Sequence, residues 1–488
     1  MDSLPVRSPL PAATTFKDWS RICGDVAPPI PGKWIDTDST YNGNPSFDDF
    51  RPFDPGSRSG VALCLSGGGY RAALFHLGAL RRLNETGILS GVSIFSCVSG
   101  GSILGGFLAD RIAKLDAWPA RGGTYERWDE DIAEPFRKRM GTDIRTIPLI
   151  KRYLLPTNWQ DFDASVEALE TQYQRHLTDV TLGQLPTHPW FIFCATDMKN
   201  GVPFFFFRGT VGHNYSHPGL PRPDWPLARA VAASSCFPPV FGPLPLNIGP
   251  LPGEPPEVVE YLRDVHLTDG GNYDNTGVAA VWKRAAYLLI SDGGGRFKAE
   301  WKRSRWAAMP TLEEIFWRVS RYPSVSMKAG AELHARWLSL MFDDGTLCGD
   351  MWTIADTTGP GVGQPWGAWP AYPANLVEQI ISRVRTDLDR FSEEEIAILE
   401  NHGYFCADTA IERVLASGAL PFARSAPFAP PHQEPQYFDP QYVAGAMAQS
   451  SQINKLSAGM WDAVRDTART SAKEGWKKVA GRVRSVLG

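Results

Sequence analysis

The stretch Val92-Ser-Ile-Phe-Ser-Cys-Val-Ser-Gly-Gly-Ser-Ile-Leu-Gly-Gly106 constrains the fold more than any other in the chain. Val92, Ile94 and Phe95 suit a pleated, buried strand. Ser102 to Leu108 are small and apolar, as a closely packed helix requires. A strand that runs straight into a helix must turn sharply, and Ser99-Gly100-Gly101 supplies the small residues for that turn. A serine there lifts its hydroxyl above the sheet, beside the positive end of a helix. The plainer reading is a serine N-cap. On the near side of the turn, Cys97 stands where a smaller glycine is usual.

A second unit of the same kind lies upstream. Val61-Ala-Leu-Cys-Leu65 is a continuous apolar run, which suits a parallel strand buried on both faces. It ends in Ser66-Gly67-Gly68-Gly69-Tyr70-Arg71, and Ala72 to Glu85 then carries leucines at helical spacing. Glycines at a helix N-terminus let backbone N–H groups converge on an anion. The loop lacks the G-x-G-x-x-G of a dinucleotide site and the Gly-Lys-Ser/Thr of a P-loop. An oxyanion hole for acyl transfer fits, with Ser99 on the next strand.

Further strands are predicted at Trp190–Ala195, Pro203–Arg208, Val265–Thr268, Tyr287–Ile290 and Met351–Ala355. Helices are predicted near 126–139, 162–177 and 227–233, and then at 311–319, 325–342, 374–388 and 392–415, the last broken near Gly403. The fold class is therefore α/β, a mostly parallel central sheet flanked by helices, with additional helical regions. Two strands end in aspartate followed by glycines, Asp269-Gly270-Gly271 and Asp292-Gly293-Gly294. Either carboxylate can face the crevice at the ends of the strands, and pattern does not choose between them. The plainer reading of each is a turn aspartate bonded to its own backbone.

The formal net charge of −4 gives no basic field for nucleic acid. Seven cysteines without a C-x-x-C read as reduced thiols of a cytoplasmic protein. The N-terminus lacks the layout of a signal peptide, and no apolar window reaches the ~18 residues of a membrane span. Any membrane contact is thus peripheral. From Ile453 onward, apolar residues recur at helical spacing against eight basic and three acidic residues, a stripe suited to an anionic membrane surface or to docking on the domain. Of the nine histidines, His334, His402 and His432 follow both aspartates, and none sits in a glycine-flanked loop after a clear strand, which argues against a Ser–His–Asp triad.

In this order, Gly67-Gly68-Gly69-Tyr70-Arg71, Cys97-Val98-Ser99-Gly100-Gly101 and Asp269-Gly270-Gly271 resemble the three motifs of the patatin-like phospholipases. Ala233-Ser234-Ser235-Cys236-Phe237-Pro238 also resembles a family segment. The resemblance covers 59–110 and 185–300 well and 310–420 loosely. The chain departs from the family at Cys97, at Ala72 and at Asn275-Thr276-Gly277, where Asn-Pro is common. The resemblance implies a three-layer sandwich and a lipid acyl hydrolase of phospholipase A or lysophospholipase type, acting on a phospholipid or other acyl-ester lipid. It implies a Ser99–Asp269 dyad, oxyanion donors at Gly67, Gly68 and Gly69, support from Arg71, Gly100 and Gly101, and no metal or organic cofactor. The competing expectation is a catalytically silent or partner-gated lipid-binding protein of the same fold. The expected layout is a Pro/Gly-rich arm (1–58), a catalytic domain (59–425) with helical parts at about 109–185 and 310–420, and a Pro-rich linker with a basic amphipathic helix (426–488).

Overall fold

Five of the apolar runs lie side by side as a parallel sheet in the order β10-β9-β1-β2-β3. These strands are β1 (Ser59–Leu65), β2 (Val92–Val98), β3 (Trp190–Asp197), β9 (Ala285–Asp292) and β10 (Gly349–Thr353). An antiparallel wing continues from β3 through β4 (Val202–Phe207), β5 (Thr210–His213) and β6 (His217–Pro221). Two more strands, β7 (Leu244–Leu246) and β8 (Val265–Asp269), pair with each other, and β8 also pairs with β3. The structure is a computed structural model that describes residues 58–144, 163–213, 217–238, 240–249, 256–294, 312–358 and 369–452. The N-terminal arm to residue 57 and the basic stripe from Ile453 lie outside the described residues.

The helices are α1 (Gly69–Glu85), α2 (Gly100–Leu115), α3 (Glu134–Met140), α4 (Ala164–His176), α5 (Leu227–Ser235), α6 (Pro256–Arg263), α7 (Leu312–Asp343), α8 (Ala374–Gln379), α9 (Glu393–Ser417) and α10 (Pro440–Gln452). Strand alternation explains how they are used. Val61, Leu63, Leu65, Phe95, Cys97, Phe191 and Phe193 share one core with apolar residues of α1, α2, α5 and α9. Ala62, Cys64, Ile94, Val98, Ile192 and Cys194 share the other with Leu338 of α7, and Trp337, Met341 and Phe342 pack against it. The parallel strands are buried on both faces, as their unbroken apolar runs predict.

Helices α1 and α9 cross closely because each brings a glycine to the other's backbone. A Cβ on Gly78 would lie 1.8 Å from the Glu400 carbonyl oxygen, and one on Gly403 would lie 1.8 Å from that of Phe75. Gly403 therefore marks a crossing, and α9 runs unbroken through it. Ser392 and Glu395 close a capping box at its start.

Two predicted helix boundaries shift. The two helices predicted around Pro323 are the single helix α7, since an interior proline removes one backbone bond and can kink a long helix without ending it. The helix predicted over 374–388 stops at Gln379. Beyond it the carbonyls of Val384, Asp387 and Leu388 accept from Arg71 Nη1 (2.7 Å), Tyr70 N (3.0 Å) and Ile144 N (3.2 Å), bonds that a helix would have reserved for itself. The strands β5, β6 and β7 have no counterpart in the prediction. No helix among the described residues is long and apolar enough to cross a membrane.

Candidate active site

The site forms where two strands meet end to end along one edge of β3. Strand β2 pairs with β3 in parallel as far as Val98 opposite Cys194. Strand β4 occupies the other edge of β3. Strand β8 therefore continues the β2 edge from the opposite direction, with Asp269 opposite Ala195. The chain leaves β2 at Ser99 and β8 at Asp269, so the pairing register alone drives the hydroxyl and the carboxyl into the same junction.

Ser99 holds a positive φ of 49° with ψ −112°, a conformation that costs a non-glycine residue about 1–3 kcal/mol. Its surroundings enforce that geometry. The Ser99 amide donates to Ser234 Oγ (3.0 Å), which also meets Ser102 Oγ at 2.8 Å. The Gly101 amide donates to the Ser66 carbonyl (3.0 Å). A Cβ on Gly100 would lie 2.3 Å from the Gly69 carbonyl oxygen, so only glycine lets the two loops touch. Cys97 is accommodated on the α2 side, where a Cβ on Gly105 would come within 2.4 Å of its sulfur. The absence of a side chain at Gly105 on the helix makes room for the Cys97 sulfur on the strand. Although Ser99 precedes α2, its side chain makes no capping bond, which removes the N-cap reading.

Asp269 Oδ1 accepts the Gly271 amide at 2.7 Å, as a turn aspartate would. Oδ2 is different: it is buried and has no hydrogen-bond donor among the described residues. Burial pushes the carboxyl up to about 6, against the pull of the nearby Ser99 hydroxyl and the Gly271 amide. Ser99 thus lies close enough to be felt by the carboxyl without completing an ordinary hydrogen bond to it. Ser99 keeps 9% of its surface exposed and Asp269 keeps 2%, so both lie largely out of solvent.

The glycine loop stands over the same junction. A Cβ on Gly67 would lie 3.0 Å from the Ser99 Cβ. The Gly67 amide, however, donates to the Asn275 carbonyl at 3.0 Å. Among the described residues the amides of Gly68 and Gly69 have no acceptor, and both have positive φ, 144° and 59°, which aims successive N–H groups together. Arg71 lies in the protein interior. Its Nε and Nη2 donate to the Gly293 carbonyl (3.3 and 3.1 Å) and Nη1 to that of Val384. Burial lowers its pKa to about 10, against the pull of Asp292. It braces the glycine loop against two others.

Asp292 ends β9, two strands from β2, and its Oδ1 accepts the Gly294 amide at 2.8 Å. The structure thus brings Asp269 to Ser99 and leaves Asp292 beneath the glycine loop. His76 lies near that loop, bonded to Ser291 Oγ (2.7 Å) and the Ser66 carbonyl (3.0 Å), and burial lowers its pKa to about 4. Ser234 and Asn275 are the site residues whose roles the sequence does not disclose. Ser234 lies within the family-like segment Ala233–Pro238 and Asn275 just beyond the Asp269 motif, yet nothing in their spacing says that one pins the Ser99 amide and the other receives the Gly67 amide. No group of three or more His, Cys, Asp or Glu among the described residues is placed to hold a metal ion.

The sequence profile of the patatin-like phospholipase family matches residues 63–282. No curated protein matches the chain in sequence. Among solved structures the chain is similar to human GIVD cytosolic phospholipase A2, at 12% identity and a TM-score of 0.42, over 78% of this chain and 64% of that one. It is also similar to VipD from Legionella pneumophila, at 16% identity and a TM-score of 0.28, over 83% of this chain and 77% of that one. The chain thus spans less than two thirds of the length of the human structure. Residues 63–282, which carry the glycine loop, Ser99 and Asp269, are a patatin-like phospholipase domain.

Proposed function

We propose that the chain is a lipid acyl hydrolase that cleaves fatty-acyl esters through Ser99 and Asp269. The observation that supports this most is the end-to-end meeting of β2 and β8, which sets a strained serine beside a buried carboxyl whose Oδ2 has no donor among the described residues. In the first half-reaction Ser99 Oγ bonds to the ester carbonyl carbon while Asp269 Oδ2 takes the hydroxyl proton. The negative charge that grows on the carbonyl oxygen falls to the Gly68 and Gly69 amides, one such donor contributing ~3 kcal/mol. The proton then passes to the departing alcohol and leaves an acyl-serine. Water, deprotonated by the same carboxylate, releases the fatty acid and restores Ser99.

A carboxylate at its ordinary pKa is a weak base toward an alcohol. Burial corrects part of that mismatch by raising Asp269 to about 6. The working unit in this reading is larger than the matched segment and extends over residues 59–425, since Arg71 and Tyr70 donate to the Val384 and Asp387 carbonyls.

The reading is tested by release of fatty acid from phosphatidylcholine and from a nitrophenyl ester as pH is varied. Only the carboxylate form of Asp269 accepts a proton, so activity is lost as pH falls through its native pKa. kcat/KM is expected to be flat above pH ~7 and to fall about tenfold per unit below about 6. A limb near pH 4, or no acid limb at all, contradicts the assignment of the base.

A further inference from the structure

We propose that His334, on α7 and beyond the matched family segment, is a positioning residue that holds the Gly67–Gly69 loop in register with Asp269 by way of Asp274 and Asn275. The inference rests on the hydrolase reading for its effect on rate, though its structural core does not. His334 Nδ1 lies 3.2 Å from Asp274 Oδ1. Asp274 is buried and organises the turn that follows Asp269. Its Oδ1 accepts from Thr276 N (2.8 Å) and Thr276 Oγ1 (2.6 Å), and its Oδ2 accepts from Ala279 N (2.8 Å).

Asn275, the next residue, carries this order to the site. Its carbonyl receives the Gly67 amide. Its side chain is wedged where a Cβ on Gly67 would lie 2.3 Å, and one on Gly271 2.6 Å, from Oδ1. A rotation of the 274–276 backbone would therefore shift the glycine loop and the Asp269 turn against each other. A carboxylate buried among three donors still carries a full charge, and the His334 imidazole faces it. Burial alone would lower the imidazole's pKa, but Asp274, with a further contribution from Asp292, raises it above the ordinary value. Burial likewise raises the Asp274 carboxyl, and His334 with the Ala279 and Thr276 donors brings it below the ordinary value. Neighbouring aromatic contacts fix the helix at this point: His334 lies 5.4 Å from the Trp337 ring, which meets Trp282 edge-on at 5.3 Å.

The test compares full-length wild type, His334→Ala and His334→Gln, the last keeping a donor toward Asp274. Hydrogen exchange at the Gly67 amide reads the loop directly and needs no turnover; the Gly101 amide, bonded to Ser66, is the internal control. His334→Ala is expected to speed Gly67 exchange about tenfold and leave Gly101 within about twofold, and His334→Gln to restore most of the protection. On a nitrophenyl ester, kcat of the alanine variant is expected to fall about tenfold with KM within about twofold, and the glutamine variant to recover. Unchanged Gly67 exchange overturns the proposal, as does equal acceleration at Gly67 and Gly101, or equal damage in both variants. If Gly67 exchange responds as stated and wild type hydrolyses no ester, the positioning role stands and the hydrolase reading falls.

Discussion

Replacing Asp269 with asparagine is expected to lower kcat by about 10⁴ and, at the same time, to make the protein more stable. The two effects have one cause. Burial that makes the carboxylate a better base also makes it an unfavourable group to fold around. Its native pKa of about 6 lies above the ordinary 3.8. The native state therefore binds a proton more readily than the unfolded chain does. Its contribution to stability is fully present below about pH 4 and is lost as pH rises through about 6. At pH 8 the penalty amounts to roughly two pK units, or about 3 kcal/mol, and asparagine removes it. The variant should melt higher than wild type at pH 8 and close to it at pH 4. Loss of activity together with loss of stability at pH 8 would show Asp269 to be a structural residue. Ser99→Ala should match the loss of rate, by about 10⁴-fold or more, with no such gain, because alanine at φ 49° is strained like serine.

Alanine at Gly403 is expected to cost about 3 kcal/mol or more in a urea titration followed by circular dichroism. Helix propensity alone argues the other way, since alanine is favoured over glycine by about 1 kcal/mol inside a helix. The crossing with α1 decides the sign. The new Cβ would sit 1.8 Å from the Phe75 carbonyl oxygen, which is backbone and has no rotamer to escape into. The two helices must part by more than an ångström, and overpacking of this kind typically outweighs the gain in propensity. Gly78→Ala strikes the reciprocal contact at Glu400 and should cost a similar amount. Because α1 carries the glycine loop at its N-terminus, the surviving folded fraction should also lose activity. A variant as stable as wild type would mean that the helices cross further apart than described.

What the sequence disclosed follows from the range of the interactions concerned. The parallel strands were legible because burial on both faces leaves an unbroken apolar run, as in Val61–Leu65 and Tyr287–Ile290. The turns at Gly67–Gly69 and Ser99–Gly101 were legible because close backbone approach excludes side chains. The extent of α8 was not. Residues 380–388 carry a helical pattern, but the carbonyls of Val384, Asp387 and Leu388 are claimed by Arg71, Tyr70 and Ile144, which lie more than 200 residues away in the chain. Gly403 looked like a break because the partner that requires it, the Phe75 backbone, lies on another helix. At the site, pattern left Asp269 and Asp292 level, since both end strands ahead of glycines. The β8 register on β3 separates them, and strand pairing of that kind is invisible to local spacing. The commitment of the Gly67 amide to Asn275, which leaves Gly68 and Gly69 as the loop amides without an acceptor among the described residues, depends on the same long-range placement.

One reaction tests the pairing of Ser99 with Asp269 most directly: labelling by a fluorophosphonate at pH 8, with the adduct located by mass spectrometry of the digested chain. One phosphonyl group per chain is expected, on Ser99, with labelling at least about 100-fold slower in Asp269→Asn. An adduct on another residue, an unlabelled wild type, or an asparagine variant that labels as fast as wild type would contradict that pairing.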